Sequence, residues 1–142
     1  MLGYYKKPEQ TAEVIKDGWF STGDYGYINK KGQIVITGRK KNIIVLDNGK
    51  NIYPEEIENY IYTLPYVKEA VVYDSDDNGQ VVLCAEIYPD TELLGDRDVN
   101  ADICEVLKEL PAYKQISKIV LRDTDFVKNS SQKIKRGEIA KK

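Results

Sequence analysis

Two β-branched runs in the middle of the chain constrain its fold more than any other feature. Residues 67–73 and 81–88 are rich in valine and other strand formers, and a polar stretch at 74–79 separates them. We therefore expect two antiparallel strands joined by a turn over 74–79. A third strand-like run follows at 116–122.

Helix-like segments flank these strands. Residues 54–64 begin with proline and two glutamates, which suit the start of a helix, and their apolar residues recur at helical spacing until Pro65. Residues 98–110 show the same periodicity and end at Pro111. This alternation, with one antiparallel pair, predicts a small α+β domain with two to three helices on one face of its sheet.

Two β-hairpins are predicted ahead of the first helix. Each has a turn with a glycine that can adopt positive φ, Gly32 in the first hairpin and Gly49 in the second. The predicted strands are 25–29 and 33–37, then 42–46 and 51–53. Residues 8–11 have the composition of a loop. These N-terminal pieces resemble a fragment of a neighbouring domain more than a domain of their own.

Composition excludes several classes of protein. With 42% hydrophobic and 31% charged residues, the 142-residue chain is typical of soluble globular proteins. No apolar run approaches the roughly 18 residues that a membrane span needs. The first residues lack the apolar segment of a secretory signal. We therefore expect a cytoplasmic protein.

Histidine is absent, which excludes His-dependent nucleophilic or acid-base catalysis from this segment. Cys84 and Cys104 fall in strand-like and helix-like runs, and we expect buried free thiols rather than a disulfide. Two cysteines without histidine also argue against a zinc site, so no metal ligands are assigned. Any chemistry in this segment depends on lysine, arginine and carboxylates.

Asp24 and Arg39 are candidates for a shared binding site. The Asp24 carboxylate can accept hydrogen bonds from two vicinal hydroxyls, as carboxylates that hold ribose do. Arg39 would reach the same space if the first hairpin folds back, and its planar guanidinium suits ribose oxygens or phosphate. Taken singly, each residue has a simpler explanation, an Asx-turn at Asp24 and a surface charge in a lysine-rich turn at Arg39.

Gly49 and Lys133 are further candidates. The turn alone explains Gly49, although a missing side chain would also let a long thin ligand pass close to the backbone. Lys133 lies in a polar loop, from which its ammonium could reach a phosphate. The stretch from Lys128 to Lys142 carries six basic residues and one acid, which is typical of a solvated terminus or of a basic patch.

Considered together and in order, the motifs resemble the adenylate-forming superfamily. That family includes acyl-CoA synthetases, the adenylation domains of peptide synthetases, and firefly luciferase. The resemblance covers nearly the whole chain and is carried by GYY at 3–5, GWFSTGD at 18–24, ITGRKKNII at 36–44, NGKNIYPEEIE at 48–58 and LPAYK at 110–114. Residues 39–52 are most similar to long-chain fatty acid ligases.

The resemblance implies roles for five residues. Asp24 matches the family's ribose-binding aspartate, and Arg39 matches an arginine that also contacts the nucleotide. Lys41 matches the hinge residue about which a small C-terminal domain rotates, and Gly49 matches a glycine that lines the pantetheine tunnel. Lys133 matches the catalytic lysine, whose ammonium would offset repulsion between the attacking carboxylate and the α-phosphate.

The same resemblance implies a division into two domains. Residues 1–40 would be the C-terminal remnant of a large domain that binds ATP and the acid, and residues 41–142 would be the mobile C-terminal domain. The lysine loop departs from the family pattern Pro-Lys-Thr-x-x-Gly-Lys-Ile-x-Arg, because proline, threonine and glycine are replaced in VKNSSQKIKR at 127–136. Gln132 stands where the glycine is expected, which puts the geometry of the loop in question.

The resemblance implies that a carboxylic acid, best a long-chain fatty acid, reacts with ATP to give an acyl-adenylate and pyrophosphate. CoA then displaces AMP to give acyl-CoA. ATP or AMP, CoA and Mg²⁺ are the expected cofactors, with Mg²⁺ bound mainly by the large domain. The partner is that N-terminal domain, and the parent enzyme could associate peripherally with a membrane. This chain alone should be inactive.

Two alternatives stay open. One is an adenylation domain that loads a carrier protein instead of CoA. The other, from a different class, is a basic-tailed module that binds RNA. The acidic isoelectric point near 5.3 and the absence of an aromatic stacking cluster favour the enzyme, and we expect no nucleic-acid partner.

Overall fold

The computed structural model describes residues 1–139. Lys141 and Lys142, which belong to the basic stretch, lie outside the described residues. The chain divides into two compact units, and the division falls between Lys41 and Asn42.

The first unit contains one short helix and two antiparallel pairs of strands. Helix α1, Pro8–Val14, lies where a loop was expected, so that prediction is wrong. Proline at the first helical position and Glu9 in the first turn suit a helix start, and the stretch is too short for apolar periodicity to reveal it. The strand pairs are β1 (Ile15–Lys16) with β2 (Trp19–Phe20) and β3 (Asp24–Ile28) with β4 (Ile34–Arg39).

The β3–β4 pair confirms the first predicted hairpin. Strand β4 extends two residues beyond the predicted end at 37, so that Asp24 and Arg39 are direct partners in the register. A bulge between Tyr25 and Gly26 brings the backbones close together. A Cβ at Gly26 would lie 2.6 Å from the carbonyl oxygen of Val35, so glycine is required by space at this position.

The second unit is the predicted α+β domain. Its three-stranded sheet has the order β7-β8-β9, with β7 and β8 antiparallel and β8 and β9 parallel. The parallel connection requires a crossover, which two helices supply. The elements are β5 (Ile44–Val45), β6 (Asn51–Ile52), α2 (Pro54–Ile61), β7 (Val67–Asp77), β8 (Gln80–Pro89), α3 (Thr91–Leu94), α4 (Val99–Leu107) and β9 (Lys118–Leu121). Three α-helices within residues 42–139 agree with the predicted two to three.

Strands β7 and β8 are longer than the sequence suggested. The polar stretch expected as a turn belongs mostly to the strands, because pairing continues through Asp74 with Leu83 to Asp77 with Gln80. Asn78 and Gly79 both have positive φ, which gives the tight turn that matches the twist of a hairpin. The aspartates remain in the sheet because the turn needs only these two residues.

The helices bury one face of the sheet. Ile57 and Ile61 of α2 join Ile103 and Leu107 of α4 in a core that also contains apolar residues of β7 and β8. Each of the four is at most 2% exposed, so truncating Ile57 to alanine should cost about 2–5 kcal/mol of stability.

The C-terminal segment packs on the opposite face. Phe126 and Ile139 are buried with Val71 of β7, and Ile134 packs against them. The segment that carries the predicted basic patch is therefore attached to the sheet as far as Ile139.

Both cysteines are free, as predicted, but only Cys84 is buried. The expectation that Cys104 is buried is wrong, since it lies on the solvent side of α4. No helix within residues 1–139 has the length and apolar character needed to cross a bilayer.

Candidate functional site

An ion pair between Asp24 and Arg39 forms the clearest candidate site in the first unit. The β3–β4 register places the two residues opposite each other, and Arg39 Nε lies 3.0 Å from Asp24 Oδ1. Arg39 Nη1 also donates to the carbonyl oxygen of Thr22 at 3.2 Å. Both side chains are thus held in fixed orientations at the end of the hairpin.

Each side chain of the ion pair has one polar atom available to bind a ligand. The Asp24 side chain is 24% exposed and that of Arg39 is 53% exposed, and Asp24 Oδ2 and Arg39 Nη2 have no partner among residues 1–139. One oxygen acceptor and one guanidinium nitrogen therefore remain for hydroxyl or phosphate groups. An exposed pair of this kind contributes only about 0–1 kcal/mol to stability, so stability alone does not explain its geometry.

Lys41 lies in a short 3₁₀ turn, Lys40–Asn42, at the division between the units. The turn begins at a residue tied to the first unit, since the Lys40 amide donates to Gly23 O at 2.9 Å. It ends at a residue tied to the second, since the Asn42 side chain hydrogen-bonds Glu55. The exposed Lys41 is thus flanked by an anchor on each side.

Gly49 closes the turn between β5 and β6. Its φ is +74°, its amide donates to Leu46 O at 2.8 Å, and the Leu46 amide donates to Lys50 O at 3.0 Å. No heavy atom lies within 4 Å of the position that a Cβ would take. The backbone conformation favours glycine, and the space beside it is open.

Lys133 lies in a tight loop near the end of the described chain. Lys128 and Ile134 form an isolated antiparallel bridge, and the Asn129 amide donates to Lys133 O at 2.9 Å. The Lys133 side chain is exposed, and its ammonium has no hydrogen bond or ion pair within residues 1–139. The ammonium is free to bind an anion.

A buried carboxylate anchors the chain just beyond Lys133. Arg136 Nη2 lies 2.5 Å from Glu58 Oε2, and Glu58 Oε1 accepts from the amide of Val72 at 2.7 Å. Glu58 is only 5% exposed. Burial raises the pKa of Glu58 above its ordinary 4.5, and the Arg136 guanidinium opposes that rise.

Glu69 anchors the chain on the other side of the loop. Its carboxylate forms an ion pair with Lys128 and accepts a 2.8 Å hydrogen bond from the amide of Phe126. Glu58 lies on α2 and Glu69 on β7, so two elements of the core hold the two arms of the lysine loop.

The sequence did not predict either anchor. The sequence contained one signal for Glu58, because this charged residue shares a helix face with the buried residues Ile57 and Ile61. Glu69 gave no comparable signal, because its role depends on long-range pairing. These contacts also involve the basic stretch, since Lys128, Lys135 and Arg136 are paired with acids.

The five predicted site residues thus lie at four places in the chain. Asp24 and Arg39 are brought into contact within the first unit, whereas Gly49 and Lys133 lie on separate turns of the second. Lys41 is the last residue of the first unit.

The fold and these sites define the class of module: a small α+β domain joined to a hairpin that carries a paired aspartate and arginine. The chain belongs to the AMP-binding enzyme C-terminal domain family, whose model matches residues 56–133. The resemblance to adenylate-forming enzymes is therefore confirmed.

Curated relatives support the assignment. The chain is 36% identical over 129 residues to fatty acyl-CoA synthetase B of Dictyostelium discoideum, covering 89% of this chain and 18% of that protein. It is 35% identical over 141 residues to a long-chain-fatty-acid–CoA ligase of Escherichia coli, covering 98% of this chain and 24% of the ligase. A long-chain-fatty-acid–CoA ligase of Bacillus subtilis is 46% identical over 78 residues, 55% of this chain and 14% of its own length. The chain spans less than a quarter of each of these three relatives.

Solved structures share the fold. The o-succinylbenzoate CoA synthetase of Bacillus subtilis, in complex with its acyl-adenylate intermediate, matches with a TM-score of 0.82 at 26% identity, covering 96% of this chain and 27% of that one. A fatty acyl CoA synthetase of Mycobacterium tuberculosis matches with a TM-score of 0.64 at 29% identity, covering 96% of this chain and 26% of that one.

Proposed function

We propose that this chain is the C-terminal part of an ATP-dependent, AMP-forming acyl-CoA synthetase. The enzyme converts a carboxylic acid and ATP into an acyl-adenylate and pyrophosphate, and CoA then displaces AMP. The observation that carries the proposal is the pairing of Asp24 with Arg39 in a chain that belongs to the AMP-binding family. The names of the relatives in Escherichia and Bacillus favour a long-chain fatty acid, and that of the Dictyostelium relative favours a fatty acid. A cytoplasmic enzyme remains part of the proposal.

In this proposal residues 1–40 complete a large nucleotide-binding domain, and residues 41–142 form a mobile C-terminal domain. Exposed apolar side chains on the first unit support it, since Trp19 is 82%, Ile28 71% and Ile34 77% exposed. Such residues on a small hairpin unit are typical of a surface that packs against further chain. The lengths of the relatives are consistent with that arrangement.

Asp24 and Arg39 hold the nucleotide. Asp24 Oδ2 accepts hydrogen bonds from ribose hydroxyls while Oδ1 stays bound to Arg39, which keeps the carboxylate oriented. The remaining guanidinium nitrogen of Arg39 donates to a ribose or phosphate oxygen. The ion pair therefore orients the site before the nucleotide binds.

Lys133 acts in adenylate formation. The attacking carboxylate and the α-phosphate are both anionic, so they repel each other as they approach. An ammonium between them offsets that repulsion, and it acts most strongly as charge develops in the transition state. The ammonium of Lys133 is exposed and has no partner among residues 1–139, which suits this role.

Lys41 and Gly49 serve the second half-reaction. Rotation about Lys41 carries the C-terminal domain from the orientation that presents Lys133 to one that presents the turn of Gly49. CoA supplies the thiol, and the open space beside Gly49 fits its thin pantetheine arm. A side chain at residue 49 would enter that space.

Within residues 1–139 no group of three or more acidic or cysteine side chains could hold a metal ion. In this proposal the magnesium ion that accompanies ATP is held mainly by the large domain.

The full-length enzyme that contains this chain tests the proposal through acid-dependent exchange of pyrophosphate into ATP. We expect rapid exchange with hexadecanoate and weak exchange with acetate or benzoate. The isolated 142-residue chain should show no exchange. Lys133→Ala should lower the exchange rate by about 100-fold, whereas the exposed turn variant Lys31→Ala should not change it. Exchange at the wild-type rate in Lys133→Ala would remove the catalytic assignment.

The acyl acceptor is tested separately. Thioester formation from purified acyl-adenylate is measured with CoA and with a phosphopantetheinylated carrier protein. Transfer to CoA would support the assignment as an acyl-CoA synthetase. Transfer to the carrier protein alone would show instead that the chain belongs to an adenylation domain that loads a carrier protein.

A further inference from the structure

Gln132, which directly precedes Lys133, has a left-handed backbone with φ of +59°. A residue with a Cβ adopts this conformation at a cost that glycine does not incur. The family pattern has glycine at this position, and glycine would adopt this conformation without that cost. Something else in the loop must stabilise Gln132.

The side chain of Asn129 supplies that stabilisation. Asn129 Oδ1 accepts from the amides of Ser131 and Lys133, both at 2.9 Å. The Gln132 amide donates to Asn129 O at 3.0 Å, and the Asn129 amide donates to Lys133 O at 2.9 Å. Residues on both sides of Gln132 are thus bonded to one asparagine.

The first hairpin contains the same turn with glycine in the left-handed position. Asn29 Oδ1 accepts from the amides of Lys31 at 2.9 Å and Gln33 at 3.0 Å. The Gly32 amide donates to Asn29 O at 2.9 Å, the Asn29 amide donates to Gln33 O at 2.9 Å, and φ of Gly32 is +77°. Position by position, Asn29 corresponds to Asn129, Gly32 to Gln132 and Gln33 to Lys133.

The turn of Gly49 has the same backbone without a preceding asparagine in the equivalent position. Leu46 occupies that place, its backbone makes both hydrogen bonds, and φ of Gly49 is +74°. With glycine in the left-handed position, the turn forms with one side-chain hydrogen bond to its backbone instead of two, from the Lys50 amide to Asn48 Oδ1 at 3.0 Å. In the lysine loop glutamine occupies the left-handed position, and the two hydrogen bonds to Asn129 Oδ1 offset the conformational cost of its positive φ.

We propose that Asn129 is a positioning residue for Lys133, because its side-chain amide holds Gln132 in the left-handed conformation that aims Lys133. The proposal rests on the function proposed above, in which Lys133 acts in adenylation. Asn129 does not touch the reacting groups. It fixes the backbone amide of Lys133 and so the direction in which that side chain leaves the loop.

Contacts on both sides of the loop limit the influence of Asn129 to the loop tip, residues 130–133. Glu69 holds the arm at Lys128, and Glu58 holds Arg136 beyond the other arm. The Lys135 amide also donates to Val127 O at 2.9 Å. Loss of the Asn129 side chain would therefore leave the arms in place and free residues 130–133 to adopt other conformations.

The backbone part of the proposal is tested on the 142-residue chain by NMR. Asn129→Ala should remove the positive φ of Gln132, read from its backbone couplings, and speed hydrogen exchange of the Lys133 amide by about tenfold. Asn129→Asp keeps an acceptor oxygen and should preserve both observables. Asn29→Ala is the matched control, because Gly32 should keep positive φ without help.

The functional part is tested in the full-length enzyme by pyrophosphate exchange. Asn129→Ala should lower kcat by about tenfold with KM for ATP unchanged, as expected for a misdirected catalytic group. Adding Gln132→Gly to Asn129→Ala should restore kcat to within about twofold, since glycine adopts the conformation unaided. Asn29→Ala should leave kcat unchanged.

The outcomes separate this proposal from the proposed function. No exchange by the wild-type enzyme would refute the function, while the NMR result would still decide the role of Asn129 in the turn. With an active wild type, unchanged couplings and kcat in Asn129→Ala would overturn the proposal. So would a loss of kcat that Gln132→Gly does not restore.

Discussion

Arg39 Nε lies 3.0 Å from Asp24 Oδ1, and the two residues are direct partners across the β3–β4 hairpin. Strand pairing therefore creates a site from residues that lie fifteen positions apart in sequence. Because the carboxylate is already oriented, a ligand that binds its second oxygen does not have to order it first.

Removing the Asp24 carboxylate should weaken nucleotide binding in the full-length enzyme. We expect Asp24→Ala to raise KM for ATP by about tenfold or more, since hydrogen bonds to a charged group are lost. The melting temperature should change little, because an exposed ion pair contributes little to stability. Glu13→Ala, an exposed acid in the same unit, is the control, and an unchanged KM in Asp24→Ala would contradict the ribose assignment.

Fixing the backbone at Lys41 should separate the two half-reactions. Lys41→Pro is expected to leave pyrophosphate exchange within about twofold of wild type and to slow thioester formation by at least about tenfold, because proline fixes φ and restricts the preceding residue. Lys41→Ala removes the side chain without that restriction and should spare both steps. Equal loss of both activities in Lys41→Pro would argue against a hinge.

Removing the guanidinium beside Glu58 should destabilise the 142-residue chain in a pH-dependent manner. Burial raises the pKa of Glu58 above its ordinary 4.5, so between 4.5 and the raised value the folded state binds more protons than the unfolded state and stability falls as pH rises. Arg136→Gln removes the charge that opposes this rise, so its cost should be small near about pH 5 and reach about 3 kcal/mol near about pH 8. Urea unfolding at the two pH values measures it.

A double variant controls for the loss of packing at this pair. Glu58→Gln with Arg136→Gln leaves two neutral amides, so its free energy of unfolding should lack the pH dependence that Glu58 gives to the Arg136→Gln variant. A cost of Arg136→Gln that is equal at both pH values would show that Glu58 does not carry the effect.

The two thiols should differ in reactivity. Burial raises the pKa of the Cys84 thiol above its ordinary 9.0, so little thiolate is present at neutral pH, and Cys84 is only 1% exposed. Cys104 is exposed. Maleimide should label Cys104 in the folded chain and Cys84 only after unfolding, as mass spectrometry of tryptic peptides would show. Equal labelling rates would contradict the buried position of Cys84.

The sequence by itself determined the element types of the first hairpin and of the second unit, apart from the four-residue helix α3. Apolar periodicity marks α2 and α4, β-branched runs mark β7 and β8, and the turn glycine marks the hairpin, because these signals are local and repeat over several residues. Short elements were the exception. Helix α1 carries no apolar face, and the polar residues at 74–77 remain in a strand because pairing with β8 continues beside them.

Only the tertiary structure decided which charges pair. Asp24 meets Arg39 because β4 runs two residues farther than its local pattern indicates, and Glu58 meets Arg136 across 78 positions of sequence. The left-handed Gln132 is likewise permitted by a side chain three residues earlier that hydrogen-bonds on both sides of it. Such contacts depend on register and on burial, which local propensity does not encode, and they give the site its geometry.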